Sequence, residues 1–135
     1  MIFEVLKKED ERQVIELIDR VFNIDTPNTS MNGSNYKFVV IKENDKIIAT
    51  SMLTTLFDPI KNNKIMYIDY LCVDESYRGK GIGNILFDSI ERLAREEKIN
   101  VLKLTSNPER TTARKMYVSK GMRMIDTNLF IKDLI

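Results

Sequence analysis

The stretch Tyr67-Ile68-Asp69-Tyr70-Leu71-Cys72-Val73-Asp74-Glu75-Ser76-Tyr77-Arg78-Gly79-Lys80-Gly81-Ile82-Gly83-Asn84 decides the reading of this chain. Its first part belongs to a nearly unbroken apolar run from Ile65 to Val73, the pattern of a central strand. Beyond the turn, Ile82, Ile85, Leu86, Ile90, Leu93 and Ala94 mark an amphipathic helix. Between the two, Gly79, Gly81 and Gly83 alternate, with Arg78 and Lys80 interleaved. Glycines at a helix N-terminus let backbone N–H groups approach an anion closely, and the unsatisfied first-turn donors and the helix dipole favour phosphate there. A turn that only starts a helix requires fewer glycines. Two familiar phosphate loops fail on spacing. Gly83 is followed by Asn84-Ile85 where a Walker loop needs Lys and Ser or Thr, and the third glycine of a dinucleotide fingerprint counted from Gly79 falls on Asn84.

Working outward, Ile2 to Leu6 reads as a short strand. Asp10 and Gln13 then form a capping box for a helix whose apolar stripe is Val14, Leu17, Ile18, Val21 and Phe22. The polar run from Asp25 to Asn35 is too long for a simple connector and is a candidate binding loop. Tyr36 to Ile41 and Lys46 to Phe57 read as strands joined by a hairpin at Lys42-Glu43-Asn44-Asp45. Downstream, Val101 to Thr105 is a short strand, Asn107-Pro108 starts a helix with Asn as N-cap, and Gly121 ends it. Met122 to Ile125 and Leu129 to Leu134 supply two closing strands. The order β-α-β-β-β-α-β-α-β-β, with its longest strands in an antiparallel meander, is α+β and not doubly wound.

The chain has 135 residues, 43% apolar and 30% charged, which suits one globular domain over 1–135. No apolar run reaches the roughly 18–20 residues of a membrane span, and the N-terminus lacks a basic and then apolar export pattern, so a cytoplasmic location is expected. With no histidine, Ser-His and Cys-His pairs and His-ligated metals are excluded; acid–base work falls to carboxylates, Lys, Tyr or water. Cys72 is the only cysteine, in apolar company with nothing to activate it, and reads as an inert strand residue. No metal is expected. A net charge of +1 argues against nucleic acid as a partner. Basic residues nevertheless gather late: Lys103, Arg110, Arg114, Lys115, Lys120 and Arg123 stand against Glu109 alone, either as a solvated helix face or as a local anion site.

Arg78-Gly79-Lys80-Gly81-Ile82-Gly83 resembles the Arg/Gln-x-x-Gly-x-Gly/Ala pyrophosphate loop of the GNAT superfamily of acetyl-CoA-dependent N-acetyltransferases. The preceding Leu71 to Tyr77 is similar to that family's strand and connector, and Thr105-Ser106-Asn107, Arg110, Ala113, Tyr117 and Gly121-Met122 to its later block. The resemblance implies a central mixed, mostly antiparallel sheet with helices on both faces, and a bulged strand before the glycine loop that splays open a cleft. It implies acetyl-CoA as co-substrate. Its pantetheine arm would bond to the backbone at Leu71, Cys72 and Val73, and its pyrophosphate would rest on the N–H groups of Gly79, Lys80, Gly81, Ile82, Gly83 and Asn84 with help from the side chain of Arg78 or Lys80. Arg110, Arg114 and Lys115 would lie near the adenosine phosphate, or form a solvated helix face. Asn107 matches a position that bonds the pantetheine arm, or is a plain N-cap.

The implied reaction is direct acetyl transfer to a primary amine of a small molecule or protein. An alkylamine with a pKa near 10.4 must first lose a proton. Asp69, on the face shared by strand alternation with Leu71 and Val73, is the nearest carboxylate to take it, directly or through water; Glu75 is an alternative. A backbone N–H at the bulge, such as that of Val73, would stabilise the oxyanion. Tyr117 occupies the family's position for the acid that protonates the leaving thiolate. The alternative function is a non-catalytic acyl-CoA-binding regulatory module. The acceptor region would be Asn23 to Asn35 and Ile125 to Asn128, with Asp25 and Asp126 suited to a cationic amine. The acceptor itself is not readable, and a homodimer is left open.

Overall fold

Asn44 and Asp45 both adopt positive φ, 50° and 65°. That is the type I′ geometry whose twist matches a two-residue hairpin, so β2 (Tyr36–Glu43) turns directly into β3 (Lys46–Asp58). In this computed structural model, which describes residues 1–27 and 31–135, that hairpin is the middle of a five-stranded sheet. The order is β1-β2-β3-β4-β5, with β1 (Ile2–Val5), β4 (Asn63–Val73) and β5 (Val101–Lys103) completing it. All neighbours are antiparallel except β4 and β5, which run parallel from the pair Ile65↔Val101. The middle of the expected polar loop, residues 28–30, lies outside the described residues.

The chain divides into two units, Met1–Thr105 and Ser106–Ile135. In the first, α1 (Glu11–Phe22) buries Val14, Leu17 and Ile18 against Leu6, Phe38, Val40, Ile47 and Cys72. Strand alternation turns Val39 and Ile41 to the opposite face, and α2 (Ile82–Glu96), with Leu86, Phe87 and Ile90 buried, packs across β2, β3 and β4. Helices therefore cover both faces, as expected. Each such fully buried aliphatic or aromatic side chain contributes about 1.5–3 kcal/mol.

The expected capping box does not form. Asp10 stands at the N-cap position of α1 without a side-chain cap bond, because its carboxylate pairs with Lys42, which also reaches Glu4 at 3.1 Å. Gln13 instead bridges to the hairpin, accepting from the Ile47 N–H at 3.1 Å. An ion pair with a half-buried lysine outcompetes a local bond that water can replace.

The second unit holds α3 (Thr111–Ser119). Asn107 caps a turn before the helix and not the helix itself: its Oδ1 accepts from the Glu109 N–H at 3.0 Å. Gly121, at φ 88°, ends α3, and the Met122 N–H reaches back to the Tyr117 carbonyl at 3.1 Å, closing a Schellman-type cap. The two closing strands expected at Met122–Ile125 and Leu129–Leu134 are absent. Residues 122–135 carry no helix or strand, and Met124, Leu129, Phe130 and Ile131 are exposed. Strand-forming composition produces a strand only where a ladder partner accepts it. Among the described residues no helix is long and apolar enough to cross a membrane.

Candidate active site

The β3–β4 ladder slips by one residue. Thr50 pairs with Cys72 and Met52 with Asp69, so Tyr70 and Leu71 together oppose Ser51. Tyr70 takes φ 51°, a left-handed conformation that costs a side-chain-bearing residue about 1–2 kcal/mol. Two contacts hold it there: Phe22 of α1 meets its ring edge-on at 5.4 Å, and the Ser51 hydroxyl donates to the Asp69 carbonyl at 2.8 Å.

The slip changes which residues share a face. Opposed residues in a ladder point the same way, and Met52 and Cys72 both belong to the α1 side. Asp69, opposite Met52, is therefore on the α1 side with Cys72. The expectation that it shares a face with Leu71 and Val73 fails, because the bulge reverses the alternation after Asp69.

On that side lies a cavity of about 310 Å³, walled by Ile18, Met31, Phe38, Met52 and Tyr70. Its rim is the segment after α1, fixed by Asn23 at φ 53° and by the Asp19 carboxylate, which accepts from the Thr26 N–H at 3.1 Å and from the Thr26 hydroxyl. Asn32 ties down the far end of the loop. Its side chain donates to the Leu6 carbonyl at 3.0 Å and accepts from the Phe38 N–H at 2.9 Å. A Cβ on Gly33 would clash with Cε1 of Tyr36, whose ring lines the cavity, so any larger residue must displace that ring.

After β4 the chain makes a single 3-10 turn, Glu75–Tyr77, capped by Asp74 accepting from the Ser76 N–H at 2.9 Å. Asp74 is 5% exposed. Burial alone would push its carboxyl up, but the Ser76 amide, Lys46 and Arg20 outweigh that and hold it below the ordinary carboxylate value. Arg20 reaches it at 3.0 Å from α1 and Lys46 at 3.8 Å from β3, so the connector is clamped to both. Arg78 Nε donates to the Val73 carbonyl at 3.3 Å, and the Lys80 ammonium lies 5.2 Å from the Tyr77 ring centre.

Gly79 and Gly81 sit at φ 77° and 78°, and a Cβ built on either would meet nothing within 4 Å. Their glycines are thus required by backbone conformation and face open space. Gly81 is the N-cap of α2, whose first turn contains no acidic residue and receives no side-chain cap. Ile82, Gly83 and Asn84 form that turn, the arrangement that leaves helix N–H donors available to an anion.

In the second unit, Tyr117 is 9% exposed; burial raises its phenol above the usual value, with Arg110 pulling weakly the other way. Arg110 precedes α3 at its N-cap position and is exposed, as is Asn107. Among the described residues no group of three or more His, Cys, Asp and Glu side chains is arranged to hold a metal. Sequence reasoning missed Asp74, whose Asp-x-Ser spacing is an Asx-turn signal, and Tyr70, Met52 and Gly33, for which no local signal exists.

A meander with one parallel strand added, a bulged strand and an open glycine turn feeding a helix together define the architecture of this chain. The model of the Acetyltransferase (GNAT) family matches residues 3–122, and the chain belongs to that family of acetyl-CoA-dependent N-acetyltransferases. It is 22% identical over 125 residues to N-acetyltransferase 8B of Homo sapiens, covering 93% of this chain but only 55% of that protein. Among solved structures it is similar to an aminoglycoside acetyltransferase from an uncultured soil metagenomic sample, with TM-score 0.83, 19% identity, and 99% and 95% of the two chains covered. It is equally similar to a ribosomal-protein-alanine N-acetyltransferase from Brucella melitensis biovar Abortus, with TM-score 0.83, 16% identity and 98% of each chain covered. Two neighbours of equal likeness are named for different acceptors, so the fold alone does not choose one.

Proposed function

We propose that the protein transfers the acetyl group of acetyl-CoA to a primary amine directly, in a ternary complex. The observation that carries this reading is the bulge at Tyr70-Leu71, which puts Tyr70 in the wall of a cavity on a strand that leads into the open glycine turn. In this reading the backbone of Leu71, Cys72 and Val73 bonds the pantetheine arm. The N–H groups from Gly79 to Asn84 take the pyrophosphate, with Arg78 and Lys80 offsetting its charge, and Asn107 and Arg110 assist from the later block.

The amine nitrogen bonds to the acetyl carbon as the carbon–sulfur bond breaks. Asp69, directly or through water, takes the proton that an alkylammonium of pKa about 10.4 must lose before it can attack. The Val73 N–H stabilises the negative charge that develops on the carbonyl oxygen. Tyr117 gives its proton to the departing sulfur, whose thiol has a pKa of roughly 8.5. A phenol held above its ordinary value by burial keeps that proton at neutral pH. The balance is ammonium plus thioester going to amide, free thiol and one proton released to solvent.

The test is thiol release from acetyl-CoA across an amine library, with mass spectrometry of the products. Thiol release that depends on the amine, with a product heavier by one acetyl group, is expected. Failure of acetyl-CoA to bind, or binding without thiol release on any amine, overturns the reading.

A further inference from the structure

Resting on the acetyl-transfer reading, we infer that the acceptor is a free amino acid, its amine turned to Asp69 and its carboxylate paired with Lys103. The placement follows from the strand registers. Side chains two apart on a strand share a face, and so do opposed ones, so Tyr67 joins Asp69 on the α1 side. Tyr67 pairs with Thr54 of β3 and with Lys103 of β5, and Thr54 pairs with Tyr36 of β2. Lys103 therefore ends a row of donor side chains, Tyr36–Thr54–Tyr67–Lys103, next to the row that holds Asp69. The β4–β5 ladder also ends there: Tyr67↔Lys103 is its last pair, while β4 runs on through Asp69 to Val73. Lys103 stands where the pairing of the two strands stops, and Asp69 is the next β4 residue on the same face.

Charge is the second observation. Three successive rows of this face, Phe38–Met52–Asp69, the donor row and Leu56–Ile65–Val101, carry one carboxylate and one ammonium. Among the described residues neither group makes a salt bridge, and they do not pair with each other. Asn28, Thr29 and Ser30, which lie outside the described residues, are uncharged and add nothing to this count. The Lys103 ammonium is drawn over the face by the Tyr67 ring, 6.0 Å from its centre.

Geometry and charge together select the ligand. Diagonal neighbours on one face have Cα atoms about 7–8 Å apart, and a charge-assisted hydrogen bond spans about 2.7–2.9 Å. A molecule bonded to both side chains has its own nitrogen and carboxylate only a few bonds apart, as an amino acid does. A polyamine would set an ammonium against Lys103, which like charge disfavours. A peptide N-terminus carries an amide where the carboxylate is needed.

The experiment takes a panel of free amino acids, each beside its carboxamide and its decarboxylated amine, with spermidine as the polyamine. Acetyl-CoA binding is followed separately by calorimetry. The carboxamide is a stringent rival, because an amine beside an amide has a pKa of about 7.7–8.0 and loses its proton more easily. The expected kcat/KM for the best amino acid is about tenfold or more above that of its own carboxamide and decarboxylated amine. Lys103→Met keeps an apolar stem on the Tyr67 ring and removes the charge. The amino acid's KM should rise about tenfold or more, and its preference over the carboxamide should fall toward one. Lys103→Arg should restore part of that preference. Lys103 is exposed, so both variants should fold, which thermal melts check. Equal or better use of a carboxamide, a decarboxylated amine or spermidine overturns this inference. So does a preference that Lys103→Met leaves intact, which makes Lys103 an ordinary edge-strand lysine. Weakened acetyl-CoA binding in Lys103→Met overturns it too, by assigning the cation to the co-substrate. In each of these cases acetyl transfer still stands; absence of acetyl-CoA binding, or of thiol release with every amine, overturns the reading beneath it and this inference with it.

Discussion

Alanine placed at Gly81 and at Gly83 should affect the fold in opposite senses and acetyl-CoA in the same sense. Gly81 holds φ 78° with open space where a Cβ would stand, so Gly81→Ala adds no clash and isolates the cost of a left-handed backbone, about 1–2 kcal/mol. For a chain of this length that is a fall in Tm of roughly 4–8 °C. Gly83 lies inside α2 and is not among the positive-φ glycines, so Gly83→Ala gains helix propensity, about 0.5–1 kcal/mol, and should raise Tm by a few degrees. If the backbone of both residues touches pyrophosphate, each methyl group displaces a charge-assisted hydrogen bond worth about 1.5–3 kcal/mol, and acetyl-CoA affinity drops about tenfold or more in both. Calorimetric titration and thermal melts on the same samples check the two effects independently. A Gly83→Ala protein that is stabilised and binds acetyl-CoA as the parent does would falsify the anion-site reasoning, because its folding cannot be blamed.

Tyr117→Phe keeps ring volume and removes the hydroxyl; kcat should fall roughly 10²-fold with KM for acetyl-CoA nearly unchanged, and a kcat within about threefold of the parent sinks the acid role. Gly33→Ala should push the Tyr36 ring aside and raise the amine KM while acetyl-CoA binding stays as it was; an unchanged amine KM shows that Tyr36 does not shape the acceptor site. Asp74 has its carboxyl depressed in the fold, so its contribution is complete above the unfolded pKa of about 3.9 and is lost as pH falls through the lower folded value. Denaturant melts should therefore show a steeper acid loss in the parent than in Asp74→Asn, and identical slopes would refute the assignment.

What was legible in the sequence is what residue type alone dictates. Alternating glycines announce the turn at Gly79 and Gly81 because almost no other residue accepts φ near 78°, and Asn44-Asp45 announces the hairpin for the same reason. What was not legible is set by partners far along the chain. Asp10 looks like a cap until Lys42 arrives from β2. Met122–Ile125 and Leu129–Leu134 read as strands, but composition cannot supply the neighbour that makes a ladder. The bulge is the sharpest case. Tyr70 is neither glycine nor asparagine, so nothing local advertises its left-handed φ; the conformation persists because Phe22, forty-eight positions earlier by the numbering, braces the ring. A period-two pattern read straight through that point assigns every residue after Asp69 to the wrong face. Asp69 and Cys72 end on one side only because a single extra residue stands between two registers. The same extra residue stands beside the Tyr70 ring in the wall of the cavity on the α1 side, so the feature that defeats the sequence pattern also shapes that cavity.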